Sequence, residues 1–218
     1  MGNPFADNME CINDIKGAIM AVIHPNRHTK RKMTVPEALT FYYKIGGASF
    51  VVAAIVELVV YMLKGSAVGG GLGLYKGLFG LGLPEPFASI LMAGVILLVF
   101  APLSFFINSA IYQFICKDIF GIWRGNYSRT FTASVFSYLP IAMLFWGIML
   151  PYVHPLFMAV AAIWSIIVLL IALSNQQGIS VLRSAGAMAL TTLSVMFVAM
   201  LLGFAMAAVI RHLGLWAL

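Results

Sequence analysis

A chain of 218 residues that is 62% hydrophobic and only 9% charged cannot be a soluble globular protein. Such proteins carry about 25% charged residues and need polar surface to cover themselves. The composition predicts an all-α polytopic membrane protein whose 218 residues leave no room for a second folded domain outside the bilayer. The formal net charge of +6, which in a soluble chain would hint at nucleic acid, here bears on topology.

Residues 1–44 read as a cytoplasmic arm. Phe5, Met9, Ile12, Ile15, Ile19, Val22 and Ile23 recur at three- and four-residue steps, with Asp7, Glu10, Asn13, Asp14 and Lys16 opposite them. That pattern predicts an amphipathic helix at the membrane surface, too polar to span it. With acidic residues and no basic n-region it is not a secretory signal peptide. Pro25 breaks the helix, and Arg27, Lys30, Arg31 and Lys32 follow. Basic clusters beside a span attract anionic head groups, so these four are the candidate lipid or partner contacts. Thr34 and Glu37 have capping-box spacing and open a short helix that leads into the first span.

Residues 45–212 carry five apolar runs, at about 45–63, 87–115, 131–150, 156–173 and 185–210. Each is long enough to cross about 30 Å of hydrocarbon. Glu57 lies inside the first, where a carboxyl must be neutralised, paired or turned to the interior. A glycine-rich loop, residues 64–86, lacks the Gly-Lys-Ser/Thr ending of a phosphate loop and predicts a mobile interfacial connection. The second run holds Pro102, whose missing N–H frees a carbonyl that Asn108 or Ser109 could help satisfy through contacts between helices. Trp123 and Tyr127 read as interface anchors in the loop that follows. The third and fourth runs form a helical hairpin with Tyr138 and Pro140 in its first arm and Asn175, Gln176 and Gln177 at its exit. In the fifth, Ala199, Gly203 and Ala207 make a small-residue stripe suited to close helix contact.

Ten lysines and arginines fall on the side of the N-terminus and three on the other. The positive-inside rule then predicts a cytoplasmic N-terminus and an extracytoplasmic C-terminus. Cys11 and Cys116 form no metal or redox spacing and are expected to be reduced. There is no His-Glu-x-x-His or Gly-x-Ser-x-Gly string, and His24, His28, His154 and His212 are dispersed. No catalytic residue, metal or cofactor is therefore expected, and the chain does not read as an enzyme. The polar candidates are Glu57, Asn108, Tyr138, Pro140, Asn175 and Gln177. They suit a docking surface at the cytoplasmic ends of the spans or, in a transporter or channel component, an intramembrane site centred on Glu57.

The N-terminal helix ending DIKGAIMAVIHP, the segment RTFTASVFSYLPIAMLF, the Trp164-containing run and the stretch from Gln176 to Ala187 together resemble the Yip domain family of Ypt/Rab-interacting membrane proteins. The resemblance covers roughly residues 10–210. It implies five spans, a cytosolic N-terminus, and a role as a membrane scaffold or adaptor in membrane organisation or trafficking. The arm is short and has no Asp-Leu-Tyr-Gly-Pro motif. The likeness is therefore to prokaryotic-type members in a cell membrane, and small-GTPase binding is not implied.

Overall fold

The computed structural model describes residues 4–64, 85–150 and 153–212. Nearly all of the expected glycine-rich loop lies outside these residues. In chain order the elements are α1 (Pro4–Ile23), the single turn α2 (Pro25–His28), α3 (Val35–Lys64) and α4 (Glu85–Val95). A π-helical turn (Ile96–Phe100), α5 (Ala101–Gln113) and a second π segment (Phe114–Ile119) continue the same rod. Then come α6 (Tyr127–Leu144), a 3-10 turn (Phe145–Met149), α7 (His154–Gln177) and α8 (Val181–His212). Among the described residues there is no strand. Five helices are long and apolar enough to cross a membrane: Val35–Lys64, Pro86–Ile119, Tyr127–Gly147, Pro155–Gln177 and Val181–Ala207. They match the five expected runs and extend several of them, because the polar turns at run ends continue the helices rather than cap them.

The short helix expected after Thr34 and the first span are one continuous helix. Its start is the predicted capping box: the Thr34 N–H donates to Glu37 Oε2 at 2.7 Å, and the Glu37 N–H to Thr34 Oγ1 at 3.5 Å. These bonds satisfy two donors that a helix start leaves open.

The core is centred on α6, whose span is far more buried than the other four. α7 packs along it antiparallel, and α3 takes another flank. Tyr42, Phe105, Phe131, Phe136 and Leu139 are fully or almost fully buried there. The rings meet edge to face, Tyr42 with Phe105 at 4.9 Å and Phe105 with Tyr138 at 5.3 Å. At the far end Gly147 lets the hairpin close, since a Cβ there would stand 2.6 Å from the Phe157 ring.

Pro102 is accommodated by a device that reverses one expectation. The preceding turn is π-helical, with the Ala101 N–H donating to Ile96 O. The next bond in that register would end on Leu97 O, but Pro102 has no N–H to give. The Tyr42 hydroxyl donates to Leu97 O instead, at 2.7 Å across to α3. Asn108, expected to help in this role, is exposed, while Ser109 is buried and donates to Ser134 Oγ at 2.9 Å.

Two further expectations fail. Trp123 is not an interface anchor, because it is only 2% exposed and packs near Tyr112. The small stripe of α8 is not buried against another described helix: Ala199, Gly203 and Ala207 are exposed, and a Cβ on Gly203 would meet no atom within 4 Å. α8 is held through its first third, where Ser184, Ala187 and Thr191 are buried and Cys116 Sγ lies 3.1 Å from Thr191 Oγ1. Beyond that, Leu193, Phe197, Leu201 and Phe204 are all exposed.

Candidate functional site

The end of the bundle that carries α1 and α2 is built around the exit of α7. Gly178 has φ +68°, a left-handed conformation that suits glycine and stops the helix. Its N–H and that of Ile179 both return to Ser174 O, at 3.0 and 3.2 Å. This tight stop leaves Asn175, Gln176 and Gln177 at one fixed height.

Those three side chains fasten the arm and the 120–126 loop to the bundle. Asn175 Nδ2 donates to Thr29 Oγ1 at 2.8 Å, and Gln176 Nε2 donates to Thr29 O at 2.6 Å and Arg31 O at 2.8 Å. Gln177 closes a ring of four bonds in which every donor meets an acceptor. Gln177 Nε2 donates to Thr130 Oγ1 (2.9 Å), and Thr130 Oγ1 to Gln113 Oε1 (2.7 Å). Gln113 Nε2 then donates to Gly125 O (3.1 Å), and the Gly125 N–H to Gln177 Oε1 (2.8 Å). Gly125 is glycine because any Cβ would fall on the Gln177 amide. Gln113, Thr130 and Gln177 are buried. Asn175 and Gln177, expected as part of an open docking surface, therefore spend their side chains holding the fold together. Tyr138 and Pro140 lie in the core of α6, partly and fully buried. Arg124 and Asn126, in the loop before α6, are exposed, and Asn126 caps α6 by accepting from the Arg129 N–H at 3.3 Å.

The basic arm does converge on a cavity. A pocket of about 240 Å³ is lined by Gly17 of α1, Arg27 and His28 of α2, Arg31 just beyond it, Phe41 of α3 and Phe136 of α6. The volume is below the roughly 300–1,000 Å³ that encloses a drug-sized ligand, so the pocket fits a small group. Its floor is aromatic, with the Phe41 and Phe136 rings 5.9 Å apart and the Arg31 guanidinium 6.0 Å from the Phe41 centroid. Arg31 also reaches Asp14 at 3.5 Å, but Asp14 is claimed more closely by Lys44, at 2.7 Å. The side chains of Arg27, Lys30 and Lys32 are exposed and make no ion pair with another described residue. The pocket thus gathers Arg27 and Arg31 from the expected four contacts and adds His28, while Lys30 and Lys32 stand outside its lining.

α1 reaches this end by lying against the side of the bundle. Over residues 13–23 the buried positions are Ala18 and Ala21, while Ile19 and Ile23 face outward, 44% and 55% exposed. Trp164 Nε1 of α7 donates to Val22 O at 2.8 Å and holds the last turn of α1 down.

Glu57 belongs to none of this. It is completely buried on the interior stripe of α3 with Ser49, Ala53 and Val60, and neither carboxylate oxygen has a hydrogen-bond partner. Among the described residues no cluster of His, Cys, Asp and Glu could hold a metal ion. Three residues of this architecture went unnoticed in the sequence: Gln113, Thr29 and Gly125. Gln113 had a readable signal, since an amide inside an apolar span implies a hydrogen bond to another helix. No family model, no curated protein and no solved structure matches the chain.

Proposed function

We propose that this five-span protein is a membrane scaffold or adaptor, of the Yip type its sequence resembles, whose arm end faces the cytoplasm and engages anionic groups there. The observation that carries the reading is the pocket in which Arg27, His28 and Arg31 meet over Phe41 and Phe136. Cations over an apolar floor at the rim of a bundle suit a phosphate head group: the charge pairs with the guanidinium groups, and the acyl chains continue along the span. Lys30 and Lys32 add long-range attraction outside the pocket. The cytoplasmic assignment rests on the ten-to-three charge bias between the two sides. Nothing in this mechanism needs a bond to be made or broken.

The test is retention of anionic lipid. The protein is released from nanodiscs containing phosphatidylglycerol and phosphatidylcholine, and bound lipids are counted by native mass spectrometry. Each basic residue near an anionic surface contributes about 1 kcal/mol. Changing Arg27, Lys30, Arg31 and Lys32 together to Gln is expected to reduce phosphatidylglycerol retention at least about tenfold, with thermal unfolding unchanged. Equal retention by the variant would remove the head-group reading.

A further inference from the structure

The pocket at the arm end lies where α1 has a glycine on its inward face. Asp14, Gly17, Ala18 and Ala21 fall at three- and four-residue steps and share the face that α1 turns to the bundle. Asp14 reaches Lys44 of α3 at 2.7 Å, and Ala18 and Ala21 are fully buried. Gly17 shares that face and lines the pocket, yet a Cβ built on it would meet no atom within 4 Å. The segment that carries the cations is fixed beside this space. Gln176 Nε2 donates to Thr29 O and Arg31 O, Thr29 Oγ1 donates to Pro25 O at 2.6 Å, and the Arg31 guanidinium lies over the Phe41 ring. A backbone held this way has little freedom left to lose when a ligand arrives.

The lining sets the chemistry of the occupant. It holds two guanidinium groups and an imidazole, and no carboxylate. Two acids act on Arg31 from outside the lining. Asp14 lies 3.5 Å away but is closer to Lys44, and Glu37 accepts from the Thr34 N–H at the start of α3. A guanidinium has five N–H donors, so both arginines keep donors for an occupant. A choline or ethanolamine head would set its own cation against them. A phosphodiester offers one negative charge and two free oxygens. A phosphomonoester offers about −1.5 to −2 charge at pH 7 and three free oxygens, enough for two guanidinium forks and the His28 ring together. We propose that the pocket is a site for a phosphomonoester and that Gly17 leaves the room for it. The proposal rests on the head-group reading and narrows it from anionic lipid in general to a terminal phosphate. Phosphatidic acid offers that group on a lipid, and glycerol 3-phosphate offers it in solution.

The experiment uses the full chain in phosphatidylcholine nanodiscs with equal small shares of phosphatidic acid and phosphatidylglycerol, and counts retained lipid by native mass spectrometry. One added charge contact near the surface is equivalent to about fivefold in binding, so phosphatidic acid should be retained about fivefold over phosphatidylglycerol. Gly17→Leu keeps every charge, fills the pocket and raises helix propensity. It should bring the ratio close to one, as should Arg27→Gln. Lys30→Gln with Lys32→Gln should lower both lipids alike and keep the ratio. A wild-type ratio near one would overturn the phosphomonoester proposal and leave the head-group reading standing, whereas retention of neither lipid over phosphatidylcholine would remove both. A ratio that survives in Gly17→Leu and Arg27→Gln would place the selectivity outside the pocket and overturn the proposal as well. Thermal unfolding in neutral detergent reads the source of the phosphate. Phosphatidic acid should raise the unfolding temperature, and glycerol 3-phosphate at equal concentration should leave it unmoved. An equal rise with both would support the phosphomonoester site and assign it to a soluble ester, against the head-group reading; a rise with neither would overturn the proposal.

Discussion

Replacing Thr130 by Val tests whether the buried ring at the α7 exit holds the bundle end together. The substitution keeps the shape and removes one hydroxyl that both accepts from Gln177 Nε2 (2.9 Å) and donates to Gln113 Oε1 (2.7 Å). Thr130 is 0% exposed, and its two partners are 9% and 3% exposed, so water cannot readily replace it. Each orphaned buried group costs about 1–3 kcal/mol in a soluble protein, while hydrogen bonds between membrane helices average nearer 0.6 kcal/mol. Two lost bonds therefore bracket the expected destabilisation between about 1 and 6 kcal/mol. The assay is reversible unfolding in mixed micelles with increasing SDS, read by circular dichroism. Thr192→Val is the control, since that exposed hydroxyl bonds only its own helix at Met188 O. If Thr130→Val and Thr192→Val fall within about 0.5 kcal/mol of each other, the ring does not stabilise the fold and the argument fails.

Tyr42→Phe should cost about 1 kcal/mol in the same assay, because it strips Leu97 O of the donor that stands in for the missing Pro102 N–H; an unchanged unfolding curve would show that the carbonyl is satisfied otherwise. Gln176→Met removes the two bonds that pin Thr29 O and Arg31 O to α7. The expected outcome is severalfold faster trypsin cleavage at Arg27, Lys30, Arg31 or Lys32 with helix content unchanged, and cleavage at the wild-type rate would mean that the arm is held by its other contacts.

How much of this was legible depends on whether the deciding interaction is local. Hydropathy and length are local quantities, so the five spans and the capping box at Thr34–Glu37 could be read directly. The direction in which a polar side chain points is not local. Asn108 and Ser109 are neighbours in sequence, yet one helical step of 100° turns Asn108 outward and Ser109 onto Ser134. Trp123 misled for a related reason: indole rings favour interfaces in general, but this one is drawn in by the turn after Ile119, where the Trp123 N–H returns to Cys116 O. The stripe on α8 has the spacing of a helix contact, but spacing cannot supply the partner. The basic cluster was legible as charge; that only Arg27 and Arg31 of its four members line the pocket depends on α2 folding back over Phe41.

The polar groups of the interior divide into two kinds, and the division bears on where a ligand can act. Gln177 has its oxygen on the Gly125 N–H and its amide on Thr130, and Gln113 is used at both ends as well. Opening a closed network of this kind would strand several buried groups at once. The α7 exit is therefore a fastening, and the cations it presents at the pocket, Arg27 and Arg31, are the ones the proposed head-group contact relies on. Glu57 is the opposite case: it is fully buried, and neither carboxylate oxygen has a hydrogen-bond partner. Interior polarity that stabilises a membrane bundle is paired within it, as Gln113, Thr130 and Gln177 are in their ring.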